Sequence, residues 1–547
     1  MAATTATFDG VKAPAAPTAP AAPVRPAAPP AFAAPELTTR RIFAFFAMVF
    51  GMFMSILDIQ IVSASLAEIQ AGLSASSDEV AWVQTSYLIA EVIMIPLSGT
   101  LARILSTRVL FAVSAAGFTA ASALAATATN IDQMIIYRAI QGFIGGGMIP
   151  SVFAAAFTIF PPSKRAVVSP IIGLVATLAP TIGPTVGGYL SHAFSWHWLF
   201  LVNVIPGILV TLATWLLIDF DKPEYSLMKK FDWTGLAAMA VFLGALEYFL
   251  EEGNSKGWFD DQTILICAVV STIAGIVFFY RVFTVSFPIV DLHAFTNKNF
   301  SFGSLFSFVM GIGLYGLTYL YPVYLGRIRG YDSLMIGETM FVSGLAMFFT
   351  APVAGFLSNK LDPRVMMAIG FGGFASGTWI MSHLNADWDF WELLIPQILR
   401  GCSLMLAMVP INNVALGTLP VERIRSASGL FNLTRNLGGA VGLAAINTIL
   451  THQTDVHYMR LAEHVNFANP AALDMMNNMT ATYNGAGMDG SQIAIKKMVG
   501  MVTQQAYLLS FMDIFMILTL LFGALVLMTT MLSKPKAPPK GAGGGGH

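Results

Sequence analysis

Three ionisable side chains lie inside long apolar stretches of this sequence. Asp58 is in "SILDIQIVSASL", Glu91 ends "QTSYLIAE", and Arg138 is the only charge in "QMIIYRAIQGFIGGGMIP". A carboxyl group removed from water can bind and release a proton near neutral pH, and a neighbouring guanidinium alters that exchange as the two groups pair or separate. We therefore predict that these residues couple proton movement to a conformational change. The alternative for each is a static pair or hydrogen bond that holds helices together.

Other polar residues recur at helical spacing within apolar stretches, as expected for the lining of a wet cavity. The predicted cavity candidates are Gln84, Tyr87, Glu247, Arg400, Asn432, Arg435 and Asn436. Hydrogen bonding between packed helices is the alternative for these stripes. For Glu247, one helical turn from Glu251, the alternative is a position at the outer surface.

A stretch rich in proline and glycine, "GLVATLAPTIGPTVGG" at 173–188, is predicted to bend. Prolines remove backbone donors from a helix, and glycines lower its stability. The predicted gating element consists of Gly173, Pro180, Gly183, Pro184, Gly187 and Gly188.

Several other kinds of chemistry lack their usual motifs. The sequence contains no GxxxxGK[ST] phosphate loop and no HExxH motif, and its single GxSxG match, GNSKG at 253–257, falls between two predicted spans rather than between a strand and a helix. ATP hydrolysis, proteolysis and lipid hydrolysis are therefore not predicted. The two cysteines, Cys267 and Cys402, lie in apolar runs and suggest neither a disulfide framework nor a thiol metal site. We predict no catalytic residue, no metal and no cofactor.

The composition identifies the elements that must position these residues. Of the 547 residues, 56% are hydrophobic and 11% are charged, against about 25% charged in a soluble domain. The net charge of −1 gives no basic surface for a nucleic-acid partner. An integral membrane protein of α-helices, each about 20 residues long, is predicted.

Fourteen apolar runs are long enough to cross a bilayer. The predicted spans are 42–64, 79–102, 108–127, 133–159, 166–190, 198–218, 234–252, 262–282, 300–322, 334–358, 365–383, 391–416, 427–450 and 505–532. Eighteen lysines and arginines fall near the membrane on the side of the two termini, and six fall on the other side. Because positive charge accumulates in cytoplasmic loops, both termini are predicted to be cytoplasmic.

Two loops and two buried arginines repeat in the same order. "GTLARILSTR" at 99–108 and "GFLSNKLDPR" at 355–364 are each followed some forty residues later by an arginine within a span, Arg138 and Arg400. This repeat predicts two parallel, pseudo-symmetric halves with a substrate site between them. The predicted division is a Pro/Ala-rich disordered tail (1–41), a six-helix half (42–218), two extra helices (234–283), a second six-helix half (300–532) with an outer loop (451–504), and a flexible tail (533–547).

Several of these stretches, taken in order, resemble a known family. They are "LDIQIVSASLAEI", "GTLARILSTR", "YRAIQGFIGGG", "LAPTIGPTVGG", "WHWLFLVNVIPG", "PIVDLHAFTNKNF" and "SASGLFNLTRNLGGAVG". Together they are similar to the fourteen-helix drug:proton antiporters of the major facilitator superfamily, of the EmrB/QacA type. The likeness covers about residues 40–532.

The resemblance implies a role for particular residues. Asp58 and Arg138 take the family's proton-coupling roles, and the 173–188 element takes its antiport gating role. Gly99 and Arg108 take the role of the cytoplasmic loop that closes the two halves. Glu91 and Glu247 are additions to the family pattern, interpreted as sites for cationic substrates or as further proton sites.

The resulting prediction is proton-driven efflux of small amphipathic toxic compounds across a bacterial inner membrane by alternating access. The resemblance also implies a periplasmic adaptor (EmrA-like) and an outer-membrane channel (TolC-like) as partners. The alternatives are a narrow exporter of one metabolite or siderophore, an importer, and a non-transporting membrane sensor or scaffold. The missing motifs disfavour an enzyme.

Overall fold

The computed structural model describes residues 37–331, 333–466, 468–485 and 489–532, and every regular element within them is a helix. The α-helices are α1 (Thr39–Ala64), α2 (Leu66–Leu73), α3 (Ser77–Leu105), α4 (Thr107–Ala125), α5 (Ile131–Gly145), α6 (Met148–Ile159), α7 (Pro162–Ala193), α8 (Trp198–Leu201), α9 (Val204–Leu217), α10 (Trp233–Glu252), α11 (Gln262–Thr284), α12 (Lys298–Arg327), α13 (Ser333–Lys360), α14 (Pro363–Met381), α15 (Phe390–Gly417), α16 (Val421–His464), α17 (Pro470–Gly485) and α18 (Gly490–Met528). The all-α prediction is confirmed. Residues 1–36 of the predicted tail 1–41, and the predicted tail 533–547, lie outside the described residues, whereas α1 already begins at Thr39.

Local sequence signals start several of the long helices. Ser76 and Glu79 form a reciprocal capping box at the start of α3, and Asp389 and Glu392 form another at the start of α15. Such boxes satisfy backbone donors that the first helical turn leaves free. The direction in which α3 and α15 enter the bundle is therefore fixed by polar residues just outside the apolar run.

Eleven helical segments among the described residues are long and apolar enough to cross a membrane. A twelfth is α7, whose arms Val168–Ala179 and Ile182–Ala193 meet at a bend of 46°. Helices α14 and α16 contain the remaining two predicted spans, but glycines and polar side chains lower their apolar character below that of the others. The count of fourteen crossings therefore stays a prediction. Each predicted span coincides with helical residues, but span 133–159 is divided between α5 and α6, and span 198–218 between α8 and α9.

The packing of the helices follows the repeat seen in the sequence. Helix α1 packs on α7, α3 on α5, and α4 on α9; in the same pattern α12 packs on α16, α13 on α15, and α14 on α18. We call α1–α9 the N-half and α12–α18 the C-half. The halves meet where α7 contacts α13 and where α3 contacts α16, while α10 lies against both α3 and α16.

Helices α16 and α18 extend well beyond the predicted spans. At 1.5 Å per residue, 44 residues of α16 reach roughly 66 Å and 39 residues of α18 roughly 58 Å, against a hydrocarbon layer of about 30 Å. The predicted span on α16 ends at residue 450, and the predicted span on α18 begins at residue 505. Hydropathy detects only the apolar part of each helix, which is the part that crosses the membrane. Most of the 451–504 segment is thus helical, with α17 packed on α18.

Candidate functional site

A buried hydrogen-bonded network surrounds Asp58 of α1. Arg138 of α5 donates from Nη1 to Asp58 Oδ2 at 2.6 Å, and both side chains are fully buried. Asp58 Oδ1 accepts from Gln141 Nε2 at 3.1 Å and from Asn203 Nδ2, just before α9, at 2.7 Å. Ser122 of α4 closes the network by accepting from the same two amides. Four segments of the N-half therefore meet at one carboxylate.

The Arg138 guanidinium is held on several sides. Its Nε donates to the carbonyl of Val83 at 3.1 Å, and Nη1 also donates to Gln141 Oε1 at 2.7 Å. The Tyr87 ring lies 4.2 Å from the guanidinium carbon, within the range of a cation–π interaction. Nη2 is buried and has no hydrogen-bond partner. The site thus pairs Arg138 with Asp58 rather than with Glu91, and it keeps one donor free.

A cavity of about 400 Å³ lies between the two halves, next to this network. The proton-coupling candidate Glu91 and the cavity candidates Gln84, Glu247 and Asn436 line it, from α3, α10 and α16. Ile59 and Gln60, the two residues after Asp58, also belong to its wall. The alternative placement of Glu247 at the outer surface is wrong, because its side chain is only 6% exposed.

Four predicted cavity residues do not line this cavity: Tyr87, Arg400, Asn432 and Arg435. Tyr87 packs on Arg138 instead, and its hydroxyl lies 3.4 Å from Ser55 Oγ. Arg435 Nη2 donates to Asn432 Oδ1 at 2.6 Å behind the cavity wall. Tyr87 and Arg400 make hydrogen-bond contacts with other helices, whereas Asn432 and Arg435 bond within α16.

Arg400 is the C-half counterpart of Arg138, but its partner is neutral. Its Nη2 donates to Thr318 Oγ1 of α12 at 2.8 Å, where Arg138 donates to Asp58 of the equivalent helix α1. No carboxylate lies within ion-pair distance of Arg400 among the residues that the structure describes. Both halves therefore contain a buried arginine at the equivalent position and the same helix packing. Only in the N-half is the partner of this arginine a carboxylate.

The glycines of the predicted gating element differ in how closely they are packed. A Cβ at Gly183 would overlap Gln60 of α1, and one at Gly187 would lie 2.7 Å from the Ile61 carbonyl oxygen. A Cβ at Gly173 would meet only Met405 Cε, at 3.9 Å. Pro184 lines the cavity, whereas the Pro180 side chain lies outside the described part and Gly188 accepts a hydrogen bond from Ser191. Close α1–α7 packing therefore explains two of these glycines.

The halves touch one another at the face where α1 begins, which we call the N-terminal face. A Cβ on Gly99 would come within 2.9 Å of the Arg425 carbonyl oxygen. Ser169 Oγ of α7 donates to Asn413 Oδ1 of α15 at 2.6 Å. The Arg108 guanidinium instead lies over Trp215 in its own half, 5.3 Å from the ring centre. The structure thus brings Gly99, but not Arg108, to the contact between the halves.

Comparison with known proteins places this architecture in a family. A family model described as the Major Facilitator Superfamily matches residues 48–443. The chain belongs to the major facilitator superfamily. It is 42% identical to the colistin resistance protein EmrB of Acinetobacter baumannii, over 92% of this chain and 98% of that protein. It is 30% identical to the multidrug export protein EmrB of Escherichia coli K12, over 91% and 96%.

Solved structures agree on the fold. The crystal structure of the human organic anion transporter MFSD10 (TETRAN) superposes with a TM-score of 0.55 at 12% identity, over 89% of this chain and all (100%) of that one. The resemblance to EmrB-type members and the superfamily fold are therefore confirmed. Members of the superfamily are transporters rather than enzymes.

Within this superfamily fold, the sequence did not single out Gln141, Asn203 or Ser122. Gln141 follows Arg138 by three residues, on the same helix face, which is a signal that could have found it. Asn203 is the only polar residue in "WLFLVNVIPG", whereas Ser122 lies among alanines and has no such signal. No group of three metal-ligating His, Cys, Asp or Glu side chains occurs in the described ranges.

Proposed function

We propose that this chain is a proton-coupled exporter of small amphipathic toxic compounds, located in a bacterial inner membrane with both termini in the cytoplasm. The names of its relatives, which include a multidrug export protein and a colistin resistance protein, support export of toxic compounds. The distribution of lysine and arginine supports the orientation. A cavity between two pseudo-symmetric halves supports alternating access.

The main support for the proposal is the buried hydrogen-bonded network that contains Asp58 and Arg138. A proton added to the Asp58 carboxylate removes the charge that faces Arg138, and an uncompensated buried guanidinium is strongly unfavourable. The pair must then separate or rearrange. Because Ile59 and Gln60 follow Asp58 on α1 and line the cavity, a movement of α1 relative to α5 changes the shape of the binding site.

The proton gradient can supply the required energy. One proton moving inward releases about 2.3 kcal/mol per 100 mV of membrane potential. Since about 1.4 kcal/mol corresponds to a tenfold ratio, one proton supports a substrate gradient of roughly 50-fold. For an uncharged substrate, exchange of one proton for one substrate is therefore sufficient, and each positive charge on a substrate requires one further proton to offset the potential.

The test is proton flux in inverted membrane vesicles that contain the full chain. Lumenal pH is followed while candidate toxic compounds are added, for the wild type and for Asp58→Asn. We expect compound-driven proton release that Asp58→Asn abolishes. The double variant Asp58→Asn/Arg138→Gln removes both charges and controls for an unpaired arginine; it should insert normally and still release no protons. Release that survives in both variants would exclude Asp58 as the proton carrier, and no release with any compound would exclude antiport.

An adaptor and an outer-membrane channel are proposed as partners. Two helices that rise far above a bilayer, with α17 packed on one of them, support a partner surface on the side opposite the termini. Replacing α17 (Pro470–Gly485) by a short linker should leave vesicle transport intact and abolish compound resistance in intact cells. Equal loss in vesicles and cells would show that α17 serves the transporter itself.

A further inference from the structure

We propose that α10 and α11 move with the N-half during transport, and that Trp258, in the segment that joins them, is the releasable contact with the C-half. That segment is residues 253–261, which we call the α10–α11 connection. Trp258 is a positioning residue in this scheme, because it acts on the cavity through α10. The inference rests on the proposed function, since it assigns the moving parts of alternating access.

Helix α10 cannot keep all of its contacts when the two halves move relative to each other. It packs against α3 of the N-half and against α16 of the C-half. Together with residues of those two helices, Glu247, Leu250 and Glu251 of α10 line the cavity. Alternating access moves the halves largely as rigid bodies, so the separation of α3 and α16 changes. One side of α10 must then release, and the contacts on each side decide which.

The contact of α10 with the N-half is a packed one along more than one helical turn. The Tyr248 ring stacks on Trp82 of α3, with ring centres 5.1 Å apart. One turn earlier, Gly244 approaches Ile89 and Ile93 of α3, where a Cβ would be in ordinary van der Waals contact with both side chains. Stacked rings and close apolar packing are lost together only when the helices separate over their whole contact. This side therefore holds α10 on the N-half.

The chain on both sides of the α10–α11 pair is also attached to the N-half, at the end of α3. Before α10, the backbone N–H of Glu224 donates to the carbonyl oxygens of Arg103 and Ile104, at 3.2 and 3.1 Å. After α11, the carbonyl oxygen of Ile289 accepts from Thr100 Oγ1 at 2.7 Å. Both linkers are thus fixed to the same helix that α10 packs on.

Two ion pairs connect these linkers to the C-half, and both lie at the N-terminal face. Asp221 is 3.6 Å from Arg425, and Asp291 is 4.0 Å from Arg423. Asp221 also accepts from the backbone and the hydroxyl of Thr107 in the N-half, at 2.7 and 2.6 Å. Opening of the N-terminal face separates the two ion pairs and leaves the linkers on the N-half.

At the end of α10 on the side opposite the termini, the α10–α11 connection donates two hydrogen bonds to the C-half. Trp258 Nε1 donates to Thr448 Oγ1 at 3.0 Å, and Asn254 Nδ2 donates to Thr451 Oγ1 at 3.4 Å. Thr448 gives its own proton to the carbonyl of Ala444 at 2.8 Å. Its hydroxyl is therefore oriented to accept from an indole, which can only donate. Because Ala444 lines the cavity, this bond joins α10 to the cavity wall of the C-half.

The backbone around Trp258 presents the indole to the C-half. Gly257 and Trp258 have φ angles of 73° and 57°, a left-handed conformation that is unfavourable for a bulky side chain. The indole packs on Phe249 with ring centres 5.1 Å apart, and a Cβ on Gly253 would overlap it. Strained backbone persists where the surrounding contacts hold it in place. Release from Thr448 breaks one hydrogen bond, while the ring stays packed on α10.

Distances between spin labels test which half α10 and α11 follow. In a full-length chain whose two native cysteines are replaced by serine, Ser255→Cys, Thr127→Cys and Asp387→Cys are combined two at a time. These residues are exposed on the side opposite the termini, in the α10–α11 connection, the N-half and the C-half. Distances are measured in nanodiscs at pH 8 and pH 5, and at pH 8 with Asp58→Asn. We expect the 127–387 and 255–387 distances to change together, while the 255–127 distance stays constant.

The three distances also separate failure of this inference from failure of the proposed function. A constant 255–387 distance with a changing 255–127 distance would assign α10 and α11 to the C-half and overturn the proposal. Comparable changes in both distances would make the two helices a separate moving part, which also overturns it. Both outcomes leave alternating access standing. A constant 127–387 distance would overturn alternating access, and this inference with it.

Single substitutions test the releasable contact. Trp258→Phe removes the indole N–H and keeps a ring against Phe249, and Thr448→Val removes the acceptor at nearly the same volume. Each should shift the ratio of the two 127–387 distance populations about fivefold away from the conformation described here, and the double variant should shift it no further. Trp233→Phe, at the other end of α10 and 65% exposed, is the matched control and should leave the ratio unchanged. A ratio unaffected by both Trp258→Phe and Thr448→Val, or one shifted equally by Trp233→Phe, would overturn the role of Trp258.

Discussion

At the scale of single residues, one acid distinguishes two otherwise similar sites. Arg138 and Arg400 are both buried within equivalent helices of the two halves. Arg138 faces Asp58, whereas Arg400 faces the hydroxyl of Thr318. A neutral partner cannot exchange a proton near neutral pH, so the proposed coupling site lies in the N-half alone.

The Asp58–Arg138 pair should be essential for stability as well as for coupling. Asp58→Asn leaves the Arg138 charge buried without an acid, which costs about 3–5 kcal/mol. We expect a clear fall in the melting temperature of the purified protein in detergent. Asp58→Asn/Arg138→Gln removes the unpaired charge and should recover part of the loss. A single variant as stable as the wild type would contradict the buried pair.

The C-half site predicts the opposite effect of adding an acid. Thr318→Asp places a carboxylate where Arg400 already donates, and hydrogen bonds to charged groups contribute about 1.5–3 kcal/mol. The melting temperature in detergent should therefore rise. Thr318→Val removes the acceptor and should lower it. If Thr318→Asp lowered the melting temperature as Thr318→Val does, Arg400 would not be an unsatisfied cation in the folded protein.

The sequence predicted which residues carry charge at membrane depth, but not how they pair. Asp58 and Arg138 were found because a charge in an apolar run is rare and costly. Their contacts with Asn203 and Ser122 depend on helices far apart in the chain. Arg435 was assigned to the cavity, whereas it donates to Asn432, one turn away on the same helix α16. Periodicity gives the face of a helix but not the neighbour that covers it.

At the scale of elements, the bend of α7 and its contact with α1 serve different purposes. Gly183 and Gly187 let α7 approach α1 closely, while Gly173 has space beside it. The 46° bend falls between the two arms of α7, at positions 180–181, and Pro184 lies within the second arm. The proline and glycine motif therefore combines a bend with a packing surface, and the sequence pattern alone could not separate the two.

This difference gives a matched pair of substitutions within one motif. Gly183→Ala adds a methyl group against Gln60 and should destabilise the protein by about 1–3 kcal/mol through overpacking. Gly173→Ala adds the same group beside Met405 and should be tolerated. Melting temperature and compound-driven proton release check both variants. If the two variants lost transport equally at unchanged stability, flexibility rather than close packing would be the role of these glycines.

Helix ends were less predictable than helix positions. The apolar runs located helical segments for every predicted span, including α14 and α16, whose polar and glycine-rich sequences are the least typical of a membrane crossing. The continuation of α16 to His464 and the start of α18 at Gly490 lie in polar sequence. The hydropathy of a segment indicates whether lipid or water surrounds it, but not whether it is helical. It therefore cannot locate the end of a helix that extends into water.

At the scale of the whole molecule, side-chain hydrogen bonds and an ion pair join the halves at the N-terminal face, while at the other face α7 and α13 also pack closely, where a Cβ on Gly337 would overlap Thr185. Ser428 Oγ donates to the Pro150 carbonyl, and Arg425 lies 3.6 Å from Asp221. The cavity wall instead uses the end of α1 and the first half of α3, toward the other face. The structure is therefore closed at the N-terminal face, and alternating access requires these contacts to break in each cycle.

A reversible cross-link tests that requirement. In a chain with Cys267 and Cys402 replaced by serine, Ser169→Cys/Asn413→Cys joins α7 of the N-half to α15 of the C-half, where the native side chains are 2.6 Å apart. A short bis-thiosulfonate reagent should abolish compound-driven proton release, and a reductant should restore it, because the N-terminal face can open only when the link is cut. Thr378→Cys/Thr519→Cys is the matched control, since these hydroxyls are 2.9 Å apart within the C-half; its cross-link should leave release unchanged. Release that continues through the first link would mean that substrate reaches the cavity without separation of the halves at this face.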